Sequence, residues 1–286
     1  MRLLCALILV VGLALPAQAA DDNGRGWSFF GRFNGSHNSD GLVTKAETGL
    51  GYSFNNHVST YAGVPFYFVN LSSTTTTSTS GTTGSMNGVG NAFLGFRAGV
   101  KGEVINYTSN LEFTAPTGDK SRGFSTGRVT ADWTNTVSGK VSSLTPFGSV
   151  GVANTVSDTA FFVRPFTSLG IVGHFEGGAT YDVLKAAHVG VSAYAVRGSG
   201  DQRIISKVLR SQSTSTSGSS TGPNSNRVFE KQHETVSQAD IVNDHGFSTW
   251  FGVTPRPEVD FHAGYSRSVN YDFNTLFFGV GFHVGK

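Results

Sequence analysis

Alternation of apolar and polar residues along short segments is the feature that most constrains how this chain can fold. In "NAFLGFRAGVK", Leu94, Phe96 and Val100 share one face, and Arg97 and Lys101 share the other. This period of two is typical of a β-strand with one apolar and one polar face. Similar segments lie near 26–35, 45–56, 57–70, 90–101, 103–115, 126–138, 143–154, 166–178, 181–197, 246–256, 257–267 and 273–285. The pattern predicts an all-β protein, and only "DQRIISKVLR" (201–210) favours a short helix.

The first residues have the composition of a secretory signal peptide. Arg2 precedes the apolar run "LLCALILVVGLAL", and the small-residue sequence "AQA" ends at Ala19. We therefore expect residues 1–19 to be removed and residues 20–286 to form the exported domain. The single cysteine, Cys5, lies inside the leader, so the exported domain is expected to contain no disulfide.

The connections between the strand-like segments differ in length. The longer ones lie near 36–44, 71–89, 116–125, 155–165 and 198–245, and the shorter ones near Asn56, Gly102, 139–142, Tyr181 and 255–256. Long loops at one end and tight turns at the other are typical of outer-membrane barrels. The loops near 71–89 and 198–245 are the largest, and both carry Ser/Thr tracts. The alternative, a soluble β-sandwich, does not require this asymmetry.

A membrane barrel also explains how an exported chain uses its apolar residues. Charged residues make up 14% of the sequence, against roughly 25% in typical soluble proteins. A closed antiparallel sheet pairs every backbone group without exposing an edge to lipid. The sequence predicts a transmembrane, antiparallel, up-and-down β-barrel of about 12 strands, within a range of about 10–14, in the bacterial outer membrane. The net charge of +2 gives no reason to expect a nucleic-acid partner.

The polar face of each predicted strand should line the lumen of such a barrel. The charged and histidine side chains expected there are Arg32, Lys45, Glu47, Arg97, Lys101, Glu112, Arg128, Asp132, His174, Glu176, Asp260 and His262. In the hairpin "LEFTAPTGDKSRGFSTGRVTADW", a turn centred near Lys120 would place Glu112 opposite Arg128 and Tyr107 opposite Trp133. Opposite charges at such positions would set the electrostatics of a narrow passage.

The region around that hairpin resembles a known family. "GVGNAFLGFRAGVKG", an alternating strand, "PTGD", a Gly-rich loop and "ADW" resemble the outer-membrane barrel family named for the phenol meta-degradation pathway. The residues that match its pattern are Pro116, Thr117, Gly118, Asp119, Gly123 and Gly127. Asn91 stands where the family usually has an acidic residue, and Ser125 and Thr126 separate Phe124 from Gly127. The match covers about residues 88–155. The resemblance implies an outer-membrane transporter of hydrophobic or aromatic solutes.

The sequence favours a channel for passive passage of small molecules, with the lipid bilayer and small solutes as its partners. No cofactor is expected, and the histidines show no spacing typical of a metal site. One alternative is a pore-less structural or adhesive barrel that binds a protein partner through its loops. A less favoured alternative is an outer-membrane lipid hydrolase, which would need outward-facing serine and histidine near the rim. No catalytic residue is predicted, because the histidines on recognisable strands are expected to point inward.

Overall fold

The computed structural model describes residues 24–39, 41–71, 85–156, 158, 163–207 and 234–285. The predicted signal peptide and most of both Ser/Thr tracts lie outside the described residues. The strands are β1 (Gly26–Asn38), β2 (Gly41–Ser53), β3 (Val58–Leu71), β4 (Ser85–Val89), β5 (Phe93–Lys101), β6 (Ile105–Thr114), β7 (Thr130–Gly139), β8 (Leu144–Ala153), β9 (Phe166–Leu184), β10 (Ala187–Ser206), β11 (Glu234–Ser237), β12 (Asp244–Arg256), β13 (Val259–Ser268) and β14 (Phe273–Gly285). Two short 3-10 helices, Lys120–Arg122 and Ala239–Val242, lie in connections.

Twelve of these strands form a closed barrel. Each pairs antiparallel with its neighbour in the chain, while β4 adds to β3 and β11 adds to β10. The ring closes where β1 pairs with β14, from Ser28 opposite Gly285 to His37 opposite Leu276. The predicted all-β barrel of about 12 strands is thus confirmed. Within the described residues, no helix is long and apolar enough to span a membrane.

Side chains alternate between the two surfaces of the barrel wall. In β8, Ser149 points inward and Val150 points outward, where 48% of its side chain is exposed. The outward-facing residues form a broad apolar surface that includes Trp27, Phe29, Leu50, Leu94, Phe96, Val100, Phe113, Trp133, Phe175, Val191, Phe251, Leu276 and Phe282. A sheet that spans hydrocarbon must pair its backbone groups within the protein and present apolar side chains outward. This closed ladder with an apolar exterior does both.

The segment expected to form a helix is strand instead. β10 continues through Ser206, and Ile204 lies opposite Ser168 of β9 and Thr235 of β11. Gln202 and Ile204 are both fully buried. The prediction was wrong because the alternating side chains of 202–206 have buried sites to fill, and burial outweighs a weak helical pattern. Residues 208–210 lie outside the described residues.

The register of the β6–β7 hairpin also differs from the prediction. Glu112 lies opposite Asp132, and Tyr107 lies opposite Val137, so the hairpin is centred on Arg122. The connection contains a 3-10 helix and then an extended segment, and β7 begins only at Thr130. Arg128 is therefore in the loop and does not pair with Glu112. The sequence reading treated residues from 126 onward as strand, which moved the centre of the turn by two residues.

The predicted loop near 36–44 is mostly strand, because β1 extends to Asn38 and β2 begins at Gly41. In the antiparallel ring, β3, β6, β8 and β10 all end at the same end of the barrel, where the longer connections after them begin. We call this the loop end, and the opposite end, which contains the tight connections such as 185–186 and 257–258, the turn end.

The matched family residues join the β6–β7 connection to an interruption between β4 and β5. The Thr117 hydroxyl donates to the Gly90 carbonyl over 3.2 Å and accepts from the Ala92 amide over 2.8 Å. The Gly118 amide donates to Asn91 Oδ1 over 3.3 Å. A Cβ on Gly118 would lie 2.9 Å from the Val89 carbonyl oxygen. The motif thus closes the wall where the regular ladder stops.

Candidate functional site

A cavity of about 690 Å³ lies inside the barrel. Its wall combines charged groups from β1, β2, β6, β9 and β13 with aromatic rings from β5, β8 and β12. The lining side chains include Arg32, Lys45, Glu47, Phe93, Glu112, Phe147, Asp158, Glu176, His188, Trp250, Asp260 and His262. Because inward positions recur every second residue, neighbouring strands bring these groups together on one concave surface.

The structure places the sequence-predicted lumen residues as follows. Arg32, Lys45, Glu47, Glu112, Glu176, Asp260 and His262 line the central cavity. Asp132 and His174 line an adjoining cavity of about 310 Å³, which Glu176 also reaches. Arg97 lies on the inner face with its guanidinium 5.6 Å from the Tyr61 ring centroid, and Lys101 follows on the same face of β5. Arg128 is exposed in the loop before β7.

Charges on the inner face are arranged as interlocking pairs. Glu47 lies opposite Arg32 in the β1–β2 ladder and accepts from it over 3.3 Å. The Lys45 ammonium lies 3.4 Å from the same carboxylate. On β6, Glu112 accepts from the Tyr61 hydroxyl over 2.8 Å. Each charged group that faces the cavity near β2 therefore already has a protein partner.

The β8–β9 connection crosses the lumen. Five strands separate β2 from β9 in either direction around the ring, so these strands face each other across the barrel. Asp158 nevertheless lies 3.4 Å from Lys45 of β2 and accepts from the Tyr67 hydroxyl of β3 over 3.1 Å. The Val163 amide donates to Ser36 of β1 over 2.8 Å. These contacts are possible only if the connection folds into the barrel.

Lys207, just beyond β10, completes the group around Asp158. Its side chain is 2% exposed, donates to the Arg164 carbonyl over 3.0 Å and lies 4.7 Å from the Tyr67 ring centroid. Burial lowers the pKa of Lys207, although Asp158 opposes that shift. Burial alone would raise the pKa of Asp158, but Lys207, Lys45 and the hydrogen bonds from the Arg164 amide and the Tyr67 hydroxyl together hold the pKa below its ordinary range. Asp158 is thus an ionised carboxylate enclosed by two lysines.

Between the Asp158–lysine group and the loop end, the interior of the barrel is packed with side chains. Arg164 lies 3.7 Å from Asp244 and is itself 2% exposed. Tyr194 and Ser268 donate to the same carboxylate, over 2.9 and 2.8 Å. Two apolar clusters surround these polar groups: Ala153, Val156, Phe166, Val172, Val196, Ile204, Ile241, Val242, Tyr271 and Phe273 form one, and Val43, Tyr67, Val69, Phe124 and Val163 form the other. The described loop-end residues therefore narrow the lumen.

Sequence reasoning missed Asp158, Arg164 and Lys207. The sequence analysis treated 155–165 only as a long connection. A signal was present, because "TVSDTAFFVRPF" is unusually apolar for an exposed connection and Val156, Val163 and Phe166 are all buried. Such a loop is expected to pack against protein rather than remain in water.

Two inward-facing histidines lie beside aspartates of the barrel wall. His174 lies 3.1 Å from Asp132, which also accepts from the Thr134 hydroxyl over 2.7 Å, and His262 lies 3.7 Å from Asp260. In the first pair, the Thr134 hydroxyl donates to the Asp132 carboxylate and lies 3.5 Å from the His174 imidazole. Among the described residues, no group of three or more His, Cys, Asp or Glu is arranged to hold a metal ion.

Two histidines lie on the outer surface, where a lipid hydrolase would need one. His37 of β1 and His245 of β12 are exposed near the loop end, although the sequence reading assigned both to loops. Within the described part of the chain, neither has a carboxylate within ion-pair distance. A catalytic triad at either position would also need an orienting carboxylate.

Solved structures share the barrel fold. A crystal structure of an outer membrane channel from Pseudomonas putida F1 superimposes with a TM-score of 0.56 and 11% identity, covering 94% of this chain and 97% of that one. The NanC porin gives 0.48 and 9%, covering 88% and 98%. The KdgM porin in complex with disordered oligogalacturonate gives 0.46 and 10%, covering 89% and 98%. No family model matches this sequence, and no curated protein does.

Proposed function

We propose that the protein is an outer-membrane channel that passes small molecules by diffusion. The observation that carries the proposal is a closed twelve-stranded barrel with an apolar exterior and a charged internal cavity of about 690 Å³. A soluble barrel of this size would place polar residues outside and a packed apolar core inside. The arrangement here is the reverse, which suits a wall between lipid and an aqueous passage.

The passage is selective rather than wide. Paired charges crowd the inner face. Asp158, from the β8–β9 connection, also contacts Lys45 on the opposite wall of the barrel. Barrels of about this strand number enclose a lumen that side chains or inserted segments nearly fill. A solute must therefore be small, and it must exchange contacts with the ionic groups along the wall.

The proposed solutes are hydrophobic or aromatic molecules, for which two features provide support. The "PTGD" region resembles the family named for phenol meta-degradation, and Thr117 and Gly118 have a defined role in closing the wall. Phe93, Phe147 and Trp250 also line the cavity and offer ring surfaces to a solute. The leader expected at residues 1–19 favours export, and the barrel with its apolar exterior favours the outer membrane as the destination.

Planar-bilayer recording from the purified full chain tests the channel role. We expect stepwise single-channel conductance, and a folded protein that migrates faster on gels before boiling than after it. A correctly folded protein that gives no conductance, with no uptake of small solutes by proteoliposomes, would contradict the proposal.

One observation favours a second candidate, a pore-less structural or adhesive barrel. The loop half contains fully buried groups such as Tyr271, Phe273 and Ile204, which pack together as in a soluble core. A barrel filled in this way would display its loops on a rigid support. Absence of conductance combined with specific binding of the folded barrel to a purified extracellular protein would favour this function.

A further inference from the structure

We propose that the Asp158 carboxylate occupies a binding site for small monocarboxylates, and that a solute carboxylate binds by displacing it from Lys45, Lys207 and Tyr67. The inference rests on the proposed channel function, because the solute must reach the lumen. It adds a chemical class, a carboxylic acid in its ionised form, that neither the fold nor the family resemblance supplies.

The site has the donors that a carboxylate requires. One Asp158 oxygen lies 3.4 Å from the Lys45 ammonium and accepts from the Tyr67 hydroxyl over 3.1 Å. The other oxygen accepts from the Arg164 amide over 2.8 Å. Lys207 is close enough to act on the same carboxylate electrostatically. An ammonium, a hydroxyl and a backbone amide at these positions do not depend on which molecule carries the carboxylate.

Lys45, Tyr67 and Lys207 belong to the barrel or are fixed against it, whereas the Asp158 carboxylate and the Arg164 amide come from the connection that crosses the lumen. Lys45 and Tyr67 project from β2 and β3. The Lys207 ammonium is fixed by the Arg164 and Phe166 carbonyls, at 3.0 and 3.5 Å. Asp158 reaches these donors with its side chain from the β8–β9 connection. If that side chain leaves, Lys207, at 2% exposure, loses the carboxylate that acts on it, and Lys45, at 14%, retains Glu47.

Charge balance explains why displacement, rather than simple addition, is required. Lys45 already has Glu47 at 3.4 Å, and Glu112 lines the same cavity. A second carboxylate beside Asp158 would add a negative charge to a poorly hydrated site that already contains acidic groups. Replacing Asp158 with a solute carboxylate leaves the local charge unchanged. Only a monoanion satisfies this condition.

Space for the rest of the molecule adjoins the donors. A cavity of about 140 Å³ is lined by Tyr67, Phe93, Phe124 and Phe166 beside Lys45 and Lys207. Tyr67 and Phe124 stack in parallel, with centroids 5.7 Å apart. An acid with a compact apolar body would place its carboxylate on the lysines and its body against these rings. Benzoate is a suitable probe, and benzamide has the same shape without the charge.

Titration calorimetry on the detergent-solubilised full chain tests the site without requiring conductance. Wild-type protein should bind benzoate and not benzamide. Asp158→Asn removes the internal competitor and should bind benzoate at least about tenfold more tightly. Lys45→Met, alone or with Asp158→Asn, should bind at least about tenfold more weakly than its parent. Lys120→Met is the matched control, because that lysine pairs with Glu234 outside the cavity, and it should bind as wild type does.

The outcomes separate the two proposals. Equal binding of benzoate and benzamide, equal effects of benzoate and inorganic phosphate, or unchanged affinity in Asp158→Asn would overturn the carboxylate site. If the channel conducts in bilayers and benzoate does not bind, the site is wrong and the channel function stands. If benzoate binds as expected and no variant conducts, the channel function is wrong and the site stands. Heat-modifiable gel mobility shows whether each variant is folded. If Asp158→Asn does not fold, Lys45→Met still tests the site.

Discussion

Glu112 of β6 lies directly opposite Asp132 of β7 on the inner face of the barrel. Neither carboxylate has a basic residue as its ladder neighbour on the other strand. Glu112 accepts from Tyr61, and Asp132 is bonded to Thr134 and His174. Two acidic groups in one ladder position are tolerated because each carboxylate has a separate hydrogen-bond donor.

The first prediction concerns ion selectivity. Glu112→Gln removes a negative charge from the cavity wall and should shift the reversal potential toward anion permeability. Arg32→Gln removes a positive charge from the same cavity and should shift it in the opposite direction. The measurement is the reversal potential in a potassium chloride gradient across a planar bilayer. Glu103→Gln is the control, because Glu103 is exposed in a turn outside the lumen. Unchanged potentials in both lumen variants would show that these residues do not line the path.

The second prediction compares two neighbours on one strand. Val150→Arg places a charge on the outer surface, where it should cost up to about 2–4 kcal/mol of unfolding free energy near the bilayer midplane. Ser149→Arg places the same side chain on the inner face, beside the cavity of about 310 Å³, and should cost much less. Urea titration of the protein folded in lipid vesicles measures both. Equal losses for the two variants would contradict the outward and inward assignment.

The strand content was predictable because one physical constraint acts along the whole chain. Each strand meets lipid on one side and the lumen on the other, so its residues must alternate, and Val150 beside Ser149 shows the result. The same constraint determines which surface of the barrel wall each side chain points to, but not which residues pair across neighbouring strands. Register in the β6–β7 hairpin depends on the contacts of Thr117, Gly118 and Asn91, which lengthen the connection beyond a tight turn.

The crossing contacts could not be predicted from local pattern. Asp158 meets Lys45, and Val163 meets Ser36 across 127 residues of sequence. These pairings depend on the ring being closed, because closure is what places β9 across from β2. A single sequence contains no periodic signal for such a contact. The apolar composition of the connection indicates that it is buried and does not identify its partner.

The third prediction concerns the wall contact made by the family motif. Thr117→Val keeps the shape of the side chain and removes the hydroxyl that joins the Gly90 carbonyl to the Ala92 amide. Leaving both groups unpaired should cost about 1–3 kcal/mol. Thr117→Ser retains the hydroxyl and should lose much less. The urea midpoint of each variant in vesicles measures the difference. Equal midpoints for Thr117→Val and wild type would show that the hydroxyl does not stabilise the wall.

The last prediction concerns how the contribution of Asp158 to stability changes at acid pH. Burial raises the pKa of Asp158, but Lys207, Lys45 and the hydrogen bonds from Arg164 and Tyr67 together lower it below its ordinary value of 3.8. A carboxyl group with a lowered pKa in the folded state stabilises the fold fully above its unfolded pKa, and this contribution is lost as the pH falls through the folded pKa. The stability difference between wild type and Asp158→Asn should therefore be constant from neutral pH to about 4 and should shrink below it.

Urea titrations of both proteins between about pH 2 and pH 7 measure this difference. Glu103→Gln, a change to an exposed carboxylate at the turn end, should differ little from wild type across the range. A difference for Asp158→Asn that stays constant down to the lowest pH would mean that the carboxylate keeps its charge or never interacts with the lysines. A difference that grows with acid would mean that ionised Asp158 destabilises the fold, since the sign of the linkage would then be reversed. Either result would mean that the contacts of Asp158 with Lys45 and Lys207 do not hold the crossing connection in place.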